Sequence, residues 1–118
     1  MLVIGAVLTI NSLQAQTVTI EIRGIRGDKG QILAMAQGGK DSKPVYGMAK
    51  PEKGMVMIKL EHVTWDQFEV SVFHDENDNR TMDLNEDKMP IEGYARKSCK
   101  LENGEATCKL KLYYPVNQ

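Results

Sequence analysis

The chain has 118 residues, enough for one domain and too few for a second core. Apolar residues make up 42% and charged residues 26%, the balance of a folded chain and not of a disordered one. Fifteen basic residues against sixteen acidic ones leave the net charge near zero, and no Lys/Arg cluster exceeds what a solvated strand face carries, so nucleic acid is not an expected partner.

Met1 to Ile10 carry no charge, and Asn11 to Ala15 then turn polar, the pattern of a signal-peptide core followed by a cleavage region ending at Ala15. The apolar run is far shorter than the roughly 20 residues a membrane span needs. The expectation is therefore an exported protein, periplasmic or extracellular, with a signal peptide over 1–15 and a single mature domain over 16–118 that has no transmembrane span. The alternative is that the run forms a first buried strand, because no Lys or Arg precedes it and Leu13 is large for its place in a cleavage site.

From Thr17 onward the sequence alternates at the period of a strand. Val18, Ile20 and Ile22 point one way, with Thr17, Thr19, Glu21 and Arg23 opposite, and a glycine turn follows from Gly24 to Gly30. Gln31 to Gln37 forms a second strand closed by Gly38 and Gly39, and the stretch with Pro44 and Pro51 is loop or edge. Val56, Ile58 and Leu60 define another inward face, as do Phe68, Val70 and Val72. After a polar stretch, Gly93 to Cys99 and Glu105 to Tyr114 supply two more strands. The fold class is all-β: an antiparallel β-sandwich, immunoglobulin-like or prealbumin-like, of about six to seven strands.

The two cysteines flank Asn103-Gly104, the dipeptide that best marks a two-residue hairpin turn. Counting outward from that turn sets Leu101 opposite Ala106 and Cys99 opposite Cys108, within reach of a disulfide. Leu101, Ala106, Leu110 and Leu112 share that face, so the bridge is expected to lie against the core. In a protein kept in a reducing compartment, two reduced core cysteines would take its place.

The segment Phe73 to Ala95 is the most concentrated signal. It contains His74-Asp75-Glu76-Asn77, then Asn79 and Asp83, then Pro90 and Glu92-Gly93-Tyr94. On these residues, together with the leader and the Ile/Val-rich first strand, the chain from Thr17 to Tyr114 resembles the bacterial exported family catalogued as domain of unknown function 2141. The resemblance implies an exported β-sandwich and no established activity. Members usually carry glycine where this chain has Asp78 and Arg80, and many have a longer insertion than Ala95 to Ser98 after the position of Tyr94.

The residues of the same segment also suggest chemistry. Asp75, Asn77, Asn79, Thr81, Asp83 and Glu86 fall at positions 1, 3, 5, 7, 9 and 12 of a calcium-loop spacing, with hard oxygen ligands at alternate positions. A strand precedes this loop and Pro90 follows it, so any calcium site joins two strands and is no EF-hand. The alternative is that Asp and Asn cap their own backbone in tight turns. Catalysis is not expected. Only His62 and His74 could act as bases near neutral pH, and His74 and Asp75, as strand neighbours, point to opposite faces. Glu76, Asp78, Glu86 and Asp87 could pair for glycoside hydrolysis, but acidic surface loops are usually solvated.

Trp65 and Phe73 fall on the outward face of one strand, and Met55 and Met57 fall outward on another, which suggests an exposed apolar patch for a glycan or an apolar ligand. The competing explanation is a second core layer. The expected function is thus a non-catalytic binding or interaction module of the cell envelope, partnered by an envelope protein or a small ligand. The alternatives are an envelope structural protein without a ligand, or a carboxylate-based hydrolase.

Overall fold

The computed structural model describes residues 16–39, 41–82, 84–88, 91–102 and 105–115, so the leader expected over 1–15 lies outside the described residues. Seven strands account for the described structure: β1 (Gln16–Ile25), β2 (Gln31–Gln37), β3 (Val45–Ala49), β4 (Gly54–Val63), β5 (Gln67–Asp75), β6 (Tyr94–Lys100) and β7 (Glu105–Lys111). They form a three-stranded sheet in the order β4-β1-β7 and a four-stranded sheet in the order β3-β2-β5-β6. β1 and β2 lie in different sheets, whereas the immunoglobulin order keeps the first two strands together. Of the two expected arrangements, this leaves the prealbumin-like one. The stretch expected as loop or edge is the edge strand β3.

The alternation seen in the sequence becomes the core. Val18, Ile20 and Ile22 of β1 face Ile32, Ala34 and Ala36 of β2, with Val56, Ile58 and Leu60 of β4 and Phe68, Val70 and Val72 of β5 completing the two inner faces. Each such branched or aromatic side chain contributes about 1.5 to 3 kcal/mol by leaving water. Two bulges keep the apolar positions inward over the longer strands. Pairing shifts between Arg23 and Ile25 around Gly24, which has φ +76°, so Ile25 is buried although it lies three residues after Ile22. Across from the start of β1, His62 takes φ +65° between Leu60 and Val63 and rephases β4 in the same way. His62 is exposed there. On β3, Gly47 faces inward so closely that a Cβ would fall 2.5 Å from Leu60 Cδ2, and its lack of a side chain sets how near the edge strand comes to β4.

The last two strands depart from the expected hairpin. Glu102 and Glu105 exchange both backbone hydrogen bonds, at 2.8 and 3.0 Å, around positions 103 and 104, which lie outside the described residues. The pairing then lapses and returns in the same register only at Tyr94 and Tyr113, which exchange backbone hydrogen bonds of 3.0 and 2.9 Å. β6 stays in the four-stranded sheet beside β5, while β7 crosses to the other sheet and runs parallel to β1, the one parallel pairing in the described sandwich. Continuing the hairpin would have set Arg96 opposite Lys111 and Lys97 opposite Leu110, a like-charge pair and a charge against an apolar partner. Alongside β1, Cys108 and Leu110 extend the buried rows of Ile20 and Ile22, and Lys109 lies beside Glu21.

The disulfide forms between Cys99 and Cys108, with Cα atoms 6.2 Å apart, but it joins the two sheets and not two strands of one hairpin. It closes the side of the sandwich where β6 and β7 are both edges. Lys97, which points inward from β6, donates to the Lys109 carbonyl at 3.1 Å across the same seam. An inward lysine on an edge strand also discourages further strand pairing.

Candidate functional site

The long connection from β5 to β6 is anchored by a buried polar cluster at one end of the sandwich. His74 is the inward residue after Val72 and is completely buried. Its Nε2 lies 2.6 Å from the Lys29 carbonyl, which only accepts, so that nitrogen carries the proton. Nδ1 then accepts from the Tyr114 hydroxyl at 2.7 Å, and the same hydroxyl accepts the Arg26 backbone N–H at 3.2 Å. Arg26 lays its guanidinium over the Tyr114 ring, 4.3 Å from the centroid, and grips the Glu76 carboxylate with two nitrogens. That hydrogen-bonded pair holds the Glu76 carboxyl below the usual carboxylate range against the opposing effect of burial, and raises Arg26. Burial pushes the Tyr114 phenol up. Glu92, itself buried, accepts the Glu76 N–H at 3.0 Å, and the His74 N–H donates to the Gly93 carbonyl at 2.8 Å. Gly30, at φ +75°, passes so near that a Cβ would sit 1.9 Å from the Asp75 carbonyl oxygen.

The motif residues His74, Asp75, Glu76, Glu92 and Gly93 are therefore the two ends of one clamp that closes the connection. His74 is sealed between the sheets while the Asp75 carboxylate turns to the loop, so the pair does not form a base with its orienting acid. Glu76 is committed to Arg26. Asp78, Glu86 and Asp87 are exposed.

Beyond the clamp the loop folds on its own side chains. Asp75 is fully buried, and its carboxylate accepts the backbone N–H groups of Asn79, at 3.2 Å, and of Arg80. Asn77 accepts from Asn79 at 3.3 Å, Asn79 from Thr81 at 2.9 Å, and Asn85 from Asp87 at 2.9 Å. These are the self-capping turns that stood as the alternative to calcium. Glu86 belongs to a separate exposed turn, and Asp83 lies outside the described residues. Among the described residues no group of three or more His, Cys, Asp or Glu side chains is placed to hold a metal ion. Asp78, Arg80 and Lys88 take φ near +60° (59°, 62° and 63°), conformations in which glycine would be less strained.

The apolar patch expected from Met55, Met57, Trp65 and Phe73 is not one surface. Met55 and Met57 lie on the outer face of the three-stranded sheet, beside Arg23 and Glu21. Phe73 lies on the outer face of the other sheet. Trp65 precedes β5, so strand alternation does not govern it, and its half-buried ring packs over Gly38 and 6.3 Å from the Phe68 ring centroid.

A different apolar surface forms around Phe73. Leu33 pairs with Phe73 on one side and Met48 on the other, and Met35 pairs with Ser71 and Tyr46, so two outward rows run across β3, β2 and β5. Tyr46 is 71% and Met48 47% exposed. Together with Arg80 from the loop these residues line a groove of about 540 Å³. Leu33, Met35, Tyr46 and Met48 were not singled out from the sequence. The available signal was β2 itself, which reads Ile-Leu-Ala-Met-Ala and is apolar on both faces, as strands with a covered outer face are.

The fold and clamp define an all-β sandwich domain with one intersheet disulfide and a long, self-capped loop. Residues 20–100 match the family model described as an uncharacterized protein conserved in bacteria (DUF2141), and the chain belongs to that family. No curated protein and no solved structure matches it significantly. Among the described residues no helix is long and apolar enough to cross a membrane.

Proposed function

We propose that this domain is an exported, non-catalytic binding module whose ligand surface is the outer face of the four-stranded sheet. The carrying observation is the pair of outward rows Phe73–Leu33–Met48 and Ser71–Met35–Tyr46, which form a contiguous, mostly apolar area that is half-buried at Leu33, Met35 and Phe73 and open to water at Tyr46 and Met48. Such an area on a small domain marks an interaction surface more often than an accident of packing. Export is supported by the disulfide, which persists in oxidising compartments. The test is enhancement of N-phenyl-1-naphthylamine fluorescence, an uncharged reporter of apolar sites, in Met48→Lys and Met57→Lys. Binding is expected to survive Met57→Lys and to be lost in Met48→Lys; equal behaviour of the two variants, or no binding by wild type, would contradict the proposal.

A second reading adds a weak calcium site at Asp75, Asn77, Asn79, Thr81, Asp83 and Glu86. It draws support from Arg80, which takes φ +62° at the sixth position, where calcium loops place glycine.

A further inference from the structure

The groove is nearly free of polar partners. Its lining side chains are Leu33, Met35, Tyr46, Met48 and Phe73, and the charged or hydroxyl groups beside them are Ser71, Arg80 and the Tyr46 phenol. A peptide or glycan laid along this floor would lose water from its amides or hydroxyls and find few replacements. A hydrocarbon chain has nothing to lose there, and flexible methionines conform readily to it. Extension of the sheet by a strand of a second copy is disfavoured, because the edge strand β3 is flanked by Lys43 and Pro44 on one side and Lys50 and Pro51 on the other, residues that discourage edge pairing.

Arg80 supplies the remaining specificity. Its backbone N–H is held by the Asp75 carboxylate, and its residue is kept at φ +62°, where glycine would be the unstrained choice. No acidic side chain forms a salt bridge with its guanidinium among the described residues. An apolar groove with a cation at its rim that no described carboxylate neutralises, carried on a backbone held in place, is complementary to a single-chain amphiphile with an anionic head.

We propose that the outer-face groove binds such an amphiphile, its alkyl chain along Leu33, Met35, Met48 and Phe73 and its carboxylate against Arg80. This rests on the groove being the ligand surface. The test is calorimetric titration, in EDTA to exclude calcium, of wild type, Arg80→Gly and Arg80→Lys with decanoate, decanol, decyltrimethylammonium and acetate, all below micelle-forming concentrations. Wild type is expected to bind decanoate best and acetate not at all. Arg80→Gly, melting no lower than wild type, is expected to bind decanoate roughly tenfold more weakly, the size of one charge-assisted contact, with decanol unchanged. Arg80→Lys is expected to restore most of the loss. Equal decanoate affinity in wild type and Arg80→Gly, or decyltrimethylammonium bound as tightly as decanoate, would overturn the anionic head while leaving the groove. Failure of every decyl probe would overturn both.

Discussion

Cys99 and Cys108 sit on edge strands of opposite sheets, so their disulfide ties the two layers of the sandwich together along one seam. The closed loop is short, with a sequence separation of 9, and constrains the unfolded chain accordingly. Replacing both residues by alanine is expected to cost about 2 to 3 kcal/mol. For a domain of this size that lowers the melting temperature by roughly 10 to 20 °C. Calorimetry of the double variant checks it, and an unchanged melting temperature would show that Lys97 and the core hold the seam alone.

The Arg26–Glu76 pair predicts an acid-side dependence. The folded-state pKa of Glu76 is lowered, so the unfolded chain binds its proton first as pH falls. The stabilisation is therefore present above the ordinary carboxylate range and is lost as pH drops through the lowered value. Because both side chains keep some contact with water, the pair is expected to be worth about 1 kcal/mol after screening. Urea midpoints of wild type and Glu76→Gln should differ near about pH 7 and converge on acidification. A constant difference down to strong acid would mean that the carboxylate's charge contributes nothing.

Much of the architecture was legible because branched residues alternate without interruption on β1, β4 and β5. Val18, Ile20 and Ile22 leave only one face that can be buried. The partner of β7 was not legible. Asn103-Gly104 signals a hairpin locally, and the turn is closed by Glu102 and Glu105, but whether pairing continues depends on charges at Arg96 and Lys111 and on the free edge of β1. The candidate site was legible only in part. Phe73 was found, but its neighbours Met35 and Met48 are brought beside it by strand order, and pattern alone placed Met55 and Met57 there instead. Arg26 and Tyr114 are 88 residues apart and meet only through the fold.

Gly30 tests the clamp. Alanine there would be strained at φ +75° and would collide with the Asp75 carbonyl, so Gly30→Ala is expected to cost at least about 2 kcal/mol. Gly54→Ala, also at positive φ but with open space around it, should cost only about 1 kcal/mol. Denaturant unfolding of the two variants compares them directly. Equal costs would show that the close approach of Gly30 to Asp75 is easily relieved.

Calcium is tested by melting wild type and Asp83→Ala with and without about 10 mM of the ion. If the loop binds with a dissociation constant near about 1 mM, wild type gains roughly 1.4 kcal/mol and the variant does not. Magnesium should do much less. The same shift in both proteins, or none in either, would leave the loop as self-capping turns alone.

The central claim, that ligands meet the outer face of the four-stranded sheet, is tested most directly with methyl-labelled methionine, since the seven methionines include probes on both sheets. Met35 and Met48 line the groove, while Met55 and Met57 report the opposite face. Titration with decanoate is predicted to move the Met35 and Met48 methyl resonances saturably and to leave those of Met55 and Met57 in place. Shifts confined to Met55 and Met57, or spread equally over all four, would contradict the account.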